Sequence, residues 1–174
     1  MTILYTMLVR RQTKALDSTA TRDAKAARMA ATTLLARRDF ASRELSERLI
    51  QQGFGEATAV SVIAELLGKG VLDDSRYAQN YVTYHAGRGQ GPVRIAAELR
   101  RRGLAAELIE AALATGPDWR ALARKVCRAK FGSQPPGSWA ARARQVRFLQ
   151  YRGFSSDHIR SATGAEPDTG FTDL

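Results

Sequence analysis

Glycines recur at a spacing of fifty residues, at Gly53, Gly103 and Gly153. A large apolar residue follows each one: Phe54, Leu104 and Phe154. Four residues before each glycine stands a leucine: Leu49, Leu99 and Leu149. Six residues after come Ala59, Ile109 and Ile159. The related segments read SRELSERLIQQGF, PVRIAAELRRRGL and ARQVRFLQYRGF. Self-similarity at such a period marks a chain built from stacked copies of one supersecondary unit.

The physics of one copy follows from the spacing. Leu45 and Leu49 are one helical turn apart, as are Ile95 and Leu99, so each pair draws an apolar stripe. The glycine then stops the helix, because it takes the left-handed C′ conformation at low steric cost. The apolar residue after it packs back on the helix end. A second helix follows, with expected stripes of Val60, Ile63 and Leu67 in the first copy, Ile109, Ala112 and Leu113 in the second, and Ile159 and Ala162 in the third. The third copy carries Gln145 where the others have Leu45 and Ile95, and Val146 is expected to take over that packing role.

A further helix precedes each pair. The first is expected near Ala24 to Arg37, with Met29, Thr33 and Ala36 on one face. The second starts after Asp73-Asp74-Ser75, which read as capping groups, and carries Tyr77, Tyr81 and Tyr84. The third starts at Asp118 and carries Trp119, Leu122 and Val126. No alternating β-branched run suggests a strand. The expected fold is all-α: three tandem three-helix repeats at 23–71, 72–115 and 116–163, flanked by a mobile arm over 1–22 and a polar tail over 164–174. A unit this small buries too little surface alone, so the repeats should stack into an elongated, curved helical array, which can be a monomer.

Charge narrows the function. Lys and Arg number 27 against 17 Asp and Glu, a net charge of +10, which favours polyanionic partners. The single Cys127 excludes an internal disulfide, suits the cytoplasm and reads as a packed thiol. The apolar start, Met1 to Val9, is too short to span a bilayer and lacks the flanks of a signal peptide, so no membrane partner is expected.

No enzyme or cofactor chemistry emerges. Gly87 to Pro92, GRGQGP, resembles a phosphate cradle but lacks the lysine–hydroxyl ending and follows a helix, so it reads as a flexible basic connector. His85 and His158 have no neighbours at metal-ligand spacing, so neither metal nor cofactor is expected. The positive signal is arginine. Arg94 and Arg101 are seven residues apart on one helix face, Arg100 and Arg102 widen that patch, and Arg88 lies in the preceding connector. In the third repeat Arg144 and Arg147 are one turn apart, with Arg142 and Arg152 close by. The guanidinium fork suits bidentate binding of phosphate or carboxylate, against the plainer reading of a solvated face. Tyr151 offers a ring on which a base can stack, whereas Tyr84 reads as core.

The phrases LLARRDFASRELSERLIQQGF, VLDDSRYAQNYV, GRGQGPVRIAAELRRRGL and RARQVRFLQYRGFSSDHI resemble the bacterial RecX regulatory proteins over about Ala27 to Ala162. The resemblance implies tandem three-helix repeats that modulate RecA, the recombinase that forms helical filaments on single-stranded DNA. It implies inhibition of RecA ATP hydrolysis and strand exchange in recombination and repair, with contacts to the filament and to single- and double-stranded DNA. It supplies no catalytic residues, and places its basic loop and helix positions at Arg88, Arg94, Arg100 to Arg102, Arg147 and Arg152. Two alternatives stand beside it: a general DNA-binding accessory protein that affects RecA only by competing for DNA, and an enzyme acting on DNA.

Overall fold

The computed structural model describes residues 23–164, and the expected arm at 1–22 and tail beyond Gly164 lie outside them. All regular structure among the described residues is helical: α1 (23–35), α2 (Ser42–Gln51), α3 (Glu56–Gly68), α4 (Asp74–Gly87), α5 (Pro92–Arg101), α6 (Ala106–Ala114), α7 (Trp119–Phe131), α8 (Trp139–Arg152) and α9 (Ser156–Thr163). They fall into two compact units that divide between Asp74 and Ser75. The first holds α1 to α3; the second holds nearly all of α4 and everything after it, so the second and third sequence repeats share one unit.

The fifty-residue repeat is a helix-stop motif made three times. Gly53, Gly103 and Gly153 all have φ between 83° and 94°. The amide after each glycine donates back to the carbonyl of the repeat leucine: Phe54 to Leu49 at 3.2 Å, Leu104 to Leu99 at 3.3 Å, Phe154 to Leu149 at 3.1 Å. This is the six-to-one bond of a Schellman ending. It sets the apolar residue against the helix it has just left, and all three leucines are fully buried.

In the first unit Leu45, Leu49, Phe40, Val62, Leu66 and Leu72 form one core with Ala27, Ala31, Ala59 and Ile63. Two expected stripes have the wrong phase. On α1 the buried positions are Ala27 and Ala31, while Met29, Thr33 and Ala36 are exposed. On α3 the buried positions are Ala59, Val62, Ile63 and Leu66, while Val60 and Leu67 face outward. Asp74 opens α4, but its carboxylate accepts from the Ser42 amide at 2.8 Å and the Ser42 hydroxyl at 2.5 Å. It therefore satisfies a free amide at the start of α2, and ties the end of the unit to its middle.

In the second unit Tyr77, Ala78, Val82 and Ala86 of α4 are buried, with Ile95, Ala96 and Leu99 of α5 and Ile109 and Ala112 of α6. Tyr84 is exposed, so it is not a core residue. On α7 the buried residues are Ala123 and Cys127, with Leu122 and Val126 partly covered beside Leu149, Phe154 and Ile159. The Asp118 carboxylate caps α7 by accepting from Arg120 and Ala121 amides. Gln145 keeps the buried position of Leu45 and Ile95, and Val146 packs partly buried beside it. Helices α7 and α9 run parallel: Arg120 bonds Asp157 at 2.6 Å and Arg124 bonds the Ser161 hydroxyl at 2.7 Å, both pairs thirty-seven residues apart.

Gly87 to Pro92 is no free connector. The Gly91 amide donates to the Arg152 carbonyl at 2.8 Å and the Val93 amide to the Gly153 carbonyl at 3.0 Å. A Cβ on Gly91 would overlap the Gly153 carbonyl, and one on Gly153 would overlap Arg94. The second and third repeats thus meet backbone to backbone through two glycines.

Candidate functional site

The nine arginines expected to bind a partner separate into three sets. Arg88, Arg94 and Arg152 gather where the GRGQGP turn meets the end of α8. Arg152 donates to the Arg88 carbonyl at 3.1 Å and lies 5.3 Å from the Phe148 ring. Arg94 reaches the Tyr151 carbonyl at 3.5 Å, with its guanidinium 5.7 Å from the Tyr151 ring. Arg88 bonds the Tyr84 hydroxyl and lies over that ring. These three side chains serve the fold as well as offering charge.

Arg101 and Arg102 both pair with Glu98, and Arg102 also stacks 4.8 Å from Tyr81. The patch expected along α5 is therefore partly neutralised, and Arg102 is held against α4. Burial raises the Tyr81 pKa, with Arg102 opposing. Arg100, Arg142, Arg144 and Arg147 form the third set: all are exposed, and none pairs with a carboxylate among the described residues.

The sequence reading missed how one-sided the third repeat is. Between Asp118 and Asp157 there is no carboxylate, and nine Lys and Arg: five on α7 and four on α8. A count of acids would have found this; a search for arginine clusters did not. It also missed a cleft of about 400 Å³ between the α4 end, α7 and α8. Arg88, Lys125, Lys130 and Arg152 line it over an apolar floor of Leu122, Val126 and Phe148. Lys125 and Lys130 enter it only because α7 packs beside a turn some forty residues earlier, which local spacing does not reveal.

His85 stacks on Tyr81 with ring centres 4.0 Å apart; burial lowers its pKa and Gln90 opposes the shift. His158 completes a capping box with Ser155, and burial lowers its pKa too. Cys127 is buried, which pushes its thiol pKa up and works against thiolate chemistry. Among the described residues no three His, Cys, Asp or Glu are placed to share a metal ion, and no helix is long and apolar enough to cross a membrane.

Family models place these elements. The model for the RecX second three-helix domain matches residues 73–113, and that for the third matches residues 118–163. The regulatory protein RecX of Halorhodospira halophila is 42% identical over 142 residues, covering 81% of this chain and 88% of the relative. The chain belongs to the RecX family. The RecX of Pseudomonas putida is 40% identical over 145 residues, covering 82% of this chain and 93% of its own. The crystal structure of RecX from Lactobacillus salivarius shares the fold, with a TM-score of 0.72 at 20% identity over 82% of this chain and 95% of that one. These RecX relatives are regulatory proteins by name, and the helices that carry the exposed arginines here, α5 and α8, lie inside the matched second and third domains.

Proposed function

We propose that this RecX protein regulates RecA by binding the RecA filament on single-stranded DNA, and that binding suppresses ATP hydrolysis and strand exchange. It acts in the cytoplasm by occupying its target and carries out no reaction of its own. One observation supports this reading above the rest: α7 and α8 carry nine cations and no acid, with Arg142, Arg144 and Arg147 left exposed and unpaired among the described residues. Unpaired exposed arginines gain most from a polyanionic surface, because each phosphate met releases condensed counterions. Regulation follows when the bound filament state is the inactive or dissociating one, since a ligand shifts an equilibrium only by its differential affinity.

Co-sedimentation with RecA filaments on single-stranded DNA tests the binding. The wild type pellets with the filaments, and the triple variant Arg142→Ala, Arg144→Ala, Arg147→Ala needs more than tenfold higher concentration, on the order of three lost phosphate contacts. Unchanged pelleting of the triple variant contradicts the assignment. The same acid-free helices also suit plain DNA competition. Under that rival, excess DNA relieves inhibition of any enzyme that needs the strand.

A further inference from the structure

Helix α8 carries two aromatic rings that the fold leaves largely exposed. Trp139 is 82% exposed and Tyr151 is 77% exposed, the two most exposed large apolar side chains among the described residues. A lone exposed aromatic is ordinary. Here the two share a face with cations. At about 100° per residue, Trp139, Arg147, Tyr151 and Arg144 fall within one arc of roughly 140° around the helix axis. Gln145 and Leu149, which are buried, fall outside that arc, roughly 150–170° from its centre. Arg147 stands one turn before Tyr151, and Arg94 of α5 reaches the Tyr151 carbonyl from the other repeat.

We infer that this face is a stacking platform for unpaired bases, which makes the ligand of the third repeat a single strand of nucleic acid and not a duplex. The inference rests on the nucleic-acid part of the regulatory reading and names the residues and the strand state. An aromatic face with flanking arginines binds any base by its π surface while the cations follow the backbone. A duplex keeps its bases stacked on each other and offers these rings nothing. Trp139 and Tyr151 are about 18 Å apart along the axis at roughly 1.5 Å per residue. That is the length of about five stacked nucleotides at roughly 3.4 Å each. No acid stands on α8 or in the segment 132–138 before it to repel the strand.

The test uses the full chain, an oligothymidylate and a mixed-sequence duplex, without RecA. Stacking on Trp139 quenches its emission, so the single strand should dim the wild type and the duplex should not. Trp139→Leu should lose that quenching, and Trp139→Leu and Tyr151→Leu should each weaken single-strand binding by about five- to a hundredfold. Both rings are more than three-quarters exposed, so both variants should keep the fold, which a thermal melt checks. Their salt dependence should match the wild type, whereas Arg144→Gln and Arg147→Gln should each flatten the salt slope by about 0.7. Wild-type emission unchanged at saturation, Leu variants that bind normally, or equal competition by polyglutamate would each overturn the platform. The same variants assayed against RecA separate the two readings. Lost stacking with intact suppression removes only the platform, and intact stacking without suppression by the wild type removes only the regulatory reading.

Discussion

Gly91 and Gly153 touch backbone to backbone, sixty-two residues apart, with the Val93 amide bonded to the Gly153 carbonyl at 3.0 Å. No side chain fits between them. The contact fixes the start of α5 against the end of α8, and so fixes Arg94 beside Tyr151. Gly91→Ala should therefore lower stability by roughly 1–3 kcal/mol, as overpacking of a close contact does. Gly87→Ala, at the end of α4 with open space around its Cβ position, should be neutral or stabilising by up to about 1 kcal/mol. Urea melts of the two variants check this; equal midpoints would mean the junction yields easily.

Asp74 holds α2 by its first amide and by the Ser42 hydroxyl. Asp74→Ala should cost about 1–2 kcal/mol, the usual loss for a missing cap with a bonded partner. Hydrogen exchange should show it first in the amides at the start of α2, and not at α7, which has its own cap in Asp118.

Arg100 and Arg102 are two residues apart and should behave oppositely. Arg102 lies against Tyr81 and pairs with Glu98, so Arg102→Ala should cost about 1 kcal/mol of stability. Arg100 is exposed, so Arg100→Ala should leave the melting temperature unchanged and weaken filament binding. Thermal melts paired with filament pelleting separate the two.

Acid should destabilise the chain in two stages. Burial lowers the pKa values of His85 and His158 below the ordinary 6.5, so the unfolded chain takes up these protons at higher pH than the folded chain. Their contribution is complete above about pH 6.5 and is lost as pH falls toward the folded-state values. Lower still, Glu65, held down by Lys69 and Arg28, and Asp157, held down by Arg120, lose their contributions as they protonate. The melting temperature should be flat between roughly pH 7 and 8 and fall below that window, and His85→Gln should flatten the upper acid stage. A melting temperature that rises between pH 7 and 5.5 would contradict this order, with pH 5.5 taken as about one unit below the histidine value.

The repeat motif was legible because its parts are close in sequence. A leucine, a glycine and an apolar residue within six positions make one local helix ending, and Leu49, Leu99 and Leu149 are buried as the spacing implies. Helix phase was less legible. On α1 the small Ala27 and Ala31 pack inside, where a close approach suits them, while the larger Met29 misled the reading. The α3 segment EATAVSVIAELLG is apolar on most sides, so Val60 and Leu67 looked as good as Val62 and Leu66. An error of one residue turns a helix by about 100°. The arginine sets show the same limit. Spacing put Arg94, Arg101 and Arg102 on one helix, but only the folded chain shows Glu98 and Tyr81 engaging two of them.

The most direct measurement is RecA ATP hydrolysis on single-stranded DNA, with this protein titrated in at two DNA concentrations. Direct action on the filament predicts suppression well below one molecule per RecA, with the same midpoint at both DNA concentrations. Suppression that appears only near saturation of the DNA, and vanishes when DNA is added, would contradict it and leave competition for the strand as the protein's mode of action.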